Sequence, residues 1–247
     1  MTQATDYNRR TYDRIWPQMS DYIRFNPGAR HRRRHIFHYL DSLRFRSLLD
    51  VGCGNAELLR LIDARYPGRS LTGVDLSAVA VADNSATYPH LHFAVANIEA
   101  EVPPGRHDVV VCSEVLEHLS DPQSALGRLR EALVPGGHAI ITTPMGKVHT
   151  TEKHFGHVAH PEPKDLVQWC EGAGLAVVDL RSWGFPMYRL TKWATNLNPD
   201  AALGRFAGER AYGLLERAIS EALTVANFAN LERSSQGVQL FALAKRV

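Results

Sequence analysis

Residues 48–54 read Leu-Leu-Asp-Val-Gly-Cys-Gly, a short apolar run broken by Asp50 and closed by two glycines. Gly52 and Gly54 lack a Cβ and tolerate a positive φ, so the backbone can approach a ligand closely there. Ala56, Leu58, Leu59 and Ile62 then begin a helical stripe, which makes the segment a strand, a glycine turn and a helix. Asp75 lies 21 positions after Gly54, where a carboxylate at the end of the next strand would accept hydrogen bonds from both hydroxyls of a ribose. Ligands in open α/β sheets sit beyond the carboxyl ends of the strands. Asp50, Gly52, Cys53 and Gly54 sample that edge first, followed by Asp75 and Leu76, by Asn97 and Ile98, and by Ser113.

Two cofactors compete for such a turn. A nicotinamide dinucleotide would call for glycine at position 57, where the chain has Glu57. A carboxylate at a helix N-terminus repels the pyrophosphate that belongs there. S-adenosylmethionine (SAM) has no phosphate and carries a sulfonium and an amino group. Asp50 and Glu57 suit that ligand, so SAM is the expected cofactor and S-adenosylhomocysteine (SAH) its product.

Histidines supply the candidate proton acceptors. His118 follows the fourth strand in Glu-Val-Leu-Glu-His-Leu, and His149, His154, His157 and His160 cluster in a loop after the fifth. An imidazole with an ordinary pKa near ~6.5 can deprotonate a hydroxyl at neutral pH. His118 can equally fix its turn by a hydrogen bond. No metal is expected at the loop histidines, because no carboxylate that would support such ligands is evident.

Alternating elements would position these groups. Apolar runs predict strands at 47–51, 70–75, 91–96, 107–112, 138–143, 175–181 and 237–245. Amphipathic segments at 56–66, 77–86, 122–133 and 163–173 lie between them, and Pro135-Gly136-Gly137 reads as a turn. Strands separated by helices imply a parallel, doubly wound α/β sheet. Two helices precede it, split by Asn26-Pro27-Gly28; the first carries Tyr12, Ile15, Trp16, Met19 and Tyr22, the second the basic run Arg30 to Arg34. Segments 186–198 and 201–229 read as a helical insertion before the last strand, with a stripe of Leu214, Leu215, Ala218, Ile219, Ala222 and Leu223. Tyr12, Trp16 and Tyr22 from the front, and Phe185, Met187, Tyr188, Trp193 and Phe206 from the insertion, are expected to give a lid and an apolar or aromatic acceptor pocket, with His154 and His160 at its mouth. The insertion could instead form a homodimer interface.

Bulk properties set the frame. The chain has 247 residues, 45% hydrophobic and 22% charged, with a formal net charge of +2, which fits one α/β domain with appendages. A charge so near balance, with no aromatic RNA-binding motif, argues against a nucleic-acid partner. Three well-separated cysteines read as reduced thiols of a cytoplasmic protein. No apolar run approaches a membrane span. The expected organisation is a single domain: a helical lid over 1–46, a SAM-binding core over 47–181, the insertion over 182–236 and the last strand over 237–247.

Four blocks carry a family resemblance: Leu-Asp-Val-Gly-Cys-Gly (49–54), Gly-Val-Asp-Leu-Ser (73–77), Asp-Val-Val-Val-Cys-Ser-Glu-Val-Leu-Glu-His-Leu (108–119) and Leu-Val-Pro-Gly-Gly (133–137). In order and spacing they resemble the class I SAM-dependent methyltransferases over about residues 47–181, most of all small-molecule enzymes of the ubiquinone-biosynthesis O-methyltransferase type. The resemblance implies a Rossmann-like seven-stranded, mostly parallel sheet with an antiparallel last strand. It places Gly52 and Gly54 under the methionine part of the cofactor, Asp75 on the ribose and Leu76 on the adenine. Asn97 and Ile98 would lie near the adenine amine and Ser113 beside the cofactor. Arg32 would reach the cofactor carboxylate, with Arg33 as the close alternative. Ala56 departs from the pattern, since many relatives carry a third glycine there. Gly-His-Val-x-His-x-x-Pro (156–163) also resembles a segment common among these enzymes. The implied activity is methyl transfer to a small-molecule acceptor, at a hydroxyl oxygen, with His157 or His118 as base. Alternatives are N-methylation of a small amine, or a SAM-binding protein on this fold that transfers no methyl.

Overall fold

The structure, a computed structural model, describes Tyr7, residues 9–13, Trp16, residues 20–206 and residues 211–247. Ile15, Met19 and the side chain of Phe206 lie outside the described residues. Seven strands form one sheet: β1 (Ser47–Val51), β2 (Ser70–Asp75), β3 (His92–Val95), β4 (His107–Ser113), β5 (Leu133–Pro144), β6 (Leu175–Trp183) and β7 (Gln239–Arg246). Their order is β3-β2-β1-β4-β5-β7-β6. β1 to β5 run parallel, and β7 inserts antiparallel between β5 and β6. Strand order reverses between β1 and β4, and at that switch point ligands bind in open α/β sheets.

Helices cover both faces: α1 (Ser20–Phe25), α2 (Pro27–Ser42), α3 (Glu57–Arg65), α4 (Ala78–Thr87), α5 (Pro122–Glu131), α6 (Thr150–His154), α7 (Pro163–Gly172), α8 (Met187–Thr195), α9 (Pro199–Phe206) and α10 (Leu214–Ala226). One apolar layer gathers Leu49, Val51, Val110, Leu126, Leu129 and Ile141; the other gathers Ile36, Leu40, Leu48, Leu59, Trp183 and Phe241. Asn26 starts α2 by accepting a hydrogen bond from the Ala29 N–H, and Pro27 occupies the first turn, where its missing N–H costs nothing. Among the described residues no helix is long and apolar enough to cross a membrane.

Three readings need correction. Pro135-Gly136-Gly137 is not the turn that ends the helix before β5, since α5 stops at Glu131 and β5 begins at Leu133. It is a bulge inside β5, where pairing with β4 jumps from His107↔Leu133 to Val109↔His138. Gly136 takes φ +75°, and a Cβ on Gly137 would meet the Val134 carbonyl at 2.9 Å, so the kink depends on both glycines. The segment 201–229 is not one helix: it divides into α9 and α10, with Gly213 capping the second. The apolar stripe of α10 does not face the core either. Leu214 and Leu215 are exposed, whereas Glu216, Ser220 and Thr224 are buried. Polar contacts with α2 turn that face inward, among them Arg30 with Glu221 at 2.6 Å and His31 Nε2 with the Thr224 carbonyl at 2.9 Å. Ile219 and Leu223 line a cavity instead.

Candidate cofactor and acceptor site

The turn after β1 is held from below. Gly52 and Gly54 take φ +73° and +52°, and both the Gly52 and Cys53 N–H groups donate to the Val74 carbonyl. The Gly54 N–H donates to Asp75 Oδ2 at 2.8 Å and the Ser77 N–H to Oδ1 at 2.9 Å. Asp75 therefore ties the end of β2 to the glycine turn, and each oxygen keeps a lone pair for a further donor. Asn84 of α4 closes the turn from behind, its Nδ2 donating to the Gly54 carbonyl at 2.7 Å. Ala56, buried at φ +57°, holds the left-handed conformation that glycine would take without strain. Cys53 is packed as much as it lines the site: a Cβ on Gly73 would meet its Sγ at 2.9 Å, and burial raises the thiol pKa well above the ordinary range.

Asp50 differs from its neighbours. Its carboxylate is 3% exposed, lines the cavity and has no hydrogen-bond or ion-pair partner among the described residues. Burial, and then the nearby Asp75, push its pKa up to about 8. Such a group favours a cationic ligand that restores its counter-charge. Glu57, by contrast, is neutralised by a two-pronged pair with Arg60, both contacts at 2.9 Å. Of the two acids that favoured SAM in the sequence, Asp50 alone is left uncompensated.

Further along the strand ends, Leu76, Asn97, Ile98 and Ser113 all line the same cavity. Asn97 Oδ1 accepts from the Glu99 N–H at 3.0 Å, so its side chain shapes a local turn while its amide nitrogen stays available. Ser113 Oγ meets Thr142 Oγ1 at 2.9 Å. Arg32 reaches Glu114 Oε2 at 3.3 Å on the cavity wall. Arg33 instead donates to the Ile23 and Arg24 carbonyls at the end of α1, which separates the two arginines that spacing left open. Glu114 escaped the sequence reading. It adopts φ +58° and accepts on Oε1 from Thr142 Oγ1 at 3.0 Å and Gln239 Nε2 at 2.6 Å. Left-handed strain at a non-glycine strand end, overdetermined by such contacts, is a common mark of a functional position.

Beyond Glu114 the cavity turns toward the acceptor side. Tyr12 donates to the Phe155 carbonyl and lies 3.1 Å from His118 Nε2, while its ring stacks on Trp16. Trp16 covers the glycine turn so closely that a Cβ on Gly54 would meet its ring at 2.7 Å. His118 and His157 stand edge to face with centroids 4.7 Å apart, and His157 Nδ1 lies 2.9 Å from His160 Nε2. Burial lowers the pKa of His118 to about 4 and that of His157 to about 2, which keeps both neutral. Tyr22 and Tyr188 line the same wall as protonated phenols, their pKa pushed up to about 12 by burial.

His154 was expected at the acceptor, but it sits exposed at the end of α6, packs on Phe155 and does not line the cavity. The α6 helix turns it outward while Glu152, two residues earlier, faces in. Trp193 is likewise exposed. The loop histidines are not without carboxylates, as the sequence had implied. Donor atoms of Glu117, His118 and His157, and of Glu152, His157 and His160, lie within 4.8 Å of one another. Lys192 Nζ contacts Glu152 Oε1 at 2.5 Å and the two loop imidazoles bond each other, while Glu117 Oε1 and His160 Nδ1 are buried without a hydrogen-bond partner.

The continuous cavity measures about 470 Å³, within the size range of small-molecule sites. Its outer part is not uniformly apolar. Thr191, Lys192 and Asn196 of the insertion face Ile23, Ile219 and Leu223. Asp50 and Asp75, beside the glycine turn, are a set of acceptors and negative charges that a sulfonium nucleoside fits.

Comparison with known proteins gives the family. Residues 22–180 match the family model described as a methyltransferase domain. A ubiquinone biosynthesis O-methyltransferase of Azotobacter vinelandii is 27% identical over 183 residues, 62% of this chain and 75% of that protein. A trans-aconitate 2-methyltransferase of Methylobacterium radiotolerans is 31% identical over 118 residues, 48% of this chain and 45% of that protein. Among solved structures, the N-methyltransferase NodS of Bradyrhizobium japonicum in complex with SAH superposes with a TM-score of 0.61 at 17% identity, covering 97% of this chain and 98% of that one. A geranyl diphosphate methyltransferase does so with a TM-score of 0.65 at 14% identity, covering 99% and 100%. The match runs from α1 through β6 and takes in the whole glycine-turn edge, and the chain belongs to the SAM-dependent methyltransferase family.

Proposed function

We propose that the protein transfers the methyl group to a hydroxyl oxygen of a small-molecule acceptor inside a lidded pocket, with His157 as the proton acceptor. The observation that carries this reading is one continuous cavity lined both by the glycine turn with Asp50 and by the half-buried His157. When bound, SAM supplies a sulfonium-activated methyl carbon open to in-line displacement. Gly52 and Gly54 let the backbone pass beneath its methionine portion, Asp50 faces the positive charge and Asp75 holds the ribose. Leu76, Asn97 and Ile98 enclose the base, Ser113 flanks the cofactor and Arg32 reaches the carboxylate.

The described residues of the segment 1–46 serve as the lid. Tyr12 latches to His118, and Asp13 accepts from Ser77 Oγ at 2.6 Å, which places both contacts directly over the cofactor edge. A lid there excludes water and fixes the approach of the reacting atoms. His118, held by Tyr12, positions this wall; His157 takes the proton. Tyr22 and Tyr188 complete the acceptor wall, while His160, expected there, stands behind His157 and does not line the cavity.

A second reading, transfer to an amine nitrogen, draws on Glu114 and Glu152, two acids on the cavity wall that would face a cationic acceptor. An acceptor panel of phenols, alcohols and amines, read by SAH release, decides between them. The test of the base is His157→Ala, expected to lower turnover of a hydroxyl acceptor by about 10²-fold or more with SAM affinity intact. Unchanged turnover in that variant removes His157 from the mechanism.

A further inference from the structure

His160 takes no part in lining the cavity, yet its imidazole is fully enclosed. Its Nε2 lies 2.9 Å from His157 Nδ1 and 4.0 Å from Glu152 Oε2, and its Nδ1 is buried without a hydrogen-bond partner. We propose that His157 and His160 act as one imidazole pair that accepts a single proton, with His160 the positioning residue that draws the charge off His157 toward Glu152. The inference rests on the reading of His157 as proton acceptor.

A bond between two imidazole nitrogens holds one proton, and its owner fixes both tautomers. With the proton on His157 Nδ1, His157 Nε2 presents a lone pair to the acceptor. When the acceptor O–H gives its proton to Nε2, the Nδ1 proton crosses to His160 Nε2. One O–H bond breaks and one N–H bond forms at His157 Nε2; one N–H breaks at His157 Nδ1 and one forms at His160 Nε2. The acceptor oxygen keeps the electron pair with which it attacks carbon. His157 ends neutral, and the positive charge rests on His160.

The surroundings favour that direction. His157 is faced by His118 and Glu117 from the turn after β4, by Lys192 of α8 and by Arg32 of α2. Burial and then Glu114 push the Glu117 pKa well above the ordinary carboxylate value, and Lys192 and Arg32 both act against a positive charge on His157. His160 is faced by Glu152 of α6, with Lys192, Glu114 and His149 around it, and Glu152 leads the charges acting on it. Glu152 is itself fixed, with Oε1 on Lys192 and Oε2 accepting from the His149 N–H at 2.8 Å.

The test is nitrogen NMR on the full chain labelled with ¹⁵N-histidine, with SAH bound, so that it does not depend on knowing the acceptor. The expected result is an Nδ1-protonated His157 and a pair that takes up one proton, not two, on acidification. Glu152→Gln should lower the apparent pKa of the pair by roughly one unit, and Lys192→Met should raise it. An Nε2-protonated resting His157 overturns the inference, as do shifts of the same sign in the two variants, or signals that respond to added Zn²⁺ and not to pH. With an acceptor in hand, His160→Gln keeps a hydrogen-bond donor but takes up no proton. It should cut kcat about tenfold and move the acid limb of the pH profile, with SAH affinity unchanged as the control for folding. If His157→Ala retains turnover, the base reading fails. If His157→Ala loses turnover and His160→Gln leaves the pH profile in place, the pair alone fails.

Discussion

At the scale of single residues, Asp50 sets stability against ligand binding. A buried carboxylate without a partner raises the free energy of the folded chain at every pH where it is ionised. Its folded pKa of about 8 lies above the ordinary carboxylate value, so the penalty grows as pH rises from about 4 to 8. A cationic ligand relieves it. Asp50→Asn should therefore raise the urea midpoint of the ligand-free protein at pH 8, on the order of 1–3 kcal/mol, while weakening SAM binding about tenfold or more by calorimetry. A variant that loses stability in the free state would show that Asp50 has a structural partner. The sequence made this residue visible through its place before the glycine pair, but did not reveal that Glu57 has its own arginine. That pairing depends on one turn of α3 bringing Arg60 back over Glu57.

At the scale of elements, the glycine turn is a joint between β1, β2 and α4. Strand and helix positions were legible because hydrophobic periodicity is local: β1 and β2 match residue for residue, and β3 differs by one residue at each end. Asn84 was not legible, since it lies 30 residues from Gly54 and only the crossover places its amide on that carbonyl. Lys192 and Glu152 escaped for the same reason, being joined only when the insertion folds back over α6. The α10 stripe misled because burial there follows hydrogen bonding with α2 rather than apolar period. Asn84 is 4% exposed, so Asn84→Ala leaves the Gly54 carbonyl unpaired in the interior. The expected cost is about 1–3 kcal/mol in urea unfolding. SAM affinity should fall in the same variant, because the turn loses the anchor behind it. Unfolding free energy lost with SAM affinity retained would confine Asn84 to the core.

At the scale of the whole molecule, neutral histidines fasten the helical cap to the sheet. His31 and His35 of α2 are 1% and 3% exposed and stack between Trp183 and Phe241, the first also bonding the end of α10. Burial lowers the pKa of His35 to about 4, and that of His31 in the same direction. The unfolded chain binds these protons at about 6.5, so between pH 6.5 and 4 it holds more protons than the folded chain. Stability is then fully present above pH 6.5 and is lost as pH falls toward 4, by up to about 3 kcal/mol for His35 alone. Asp50, Asp75 and Glu117 oppose this, since burial raises their folded pKa values and the folded chain gains protons first. A bare acid titration mixes the two signs, so the difference between two chains is the informative quantity. His35→Phe keeps the stack on Phe241 and removes the proton site. It should flatten the fall in urea midpoint between pH 7 and 4.5 relative to the natural chain, with near-equal stability at pH 7.5. Parallel curves would mean that acid acts elsewhere, and that the cap is held by its ion pairs, Arg30 with Glu221 and Arg34 with Glu232.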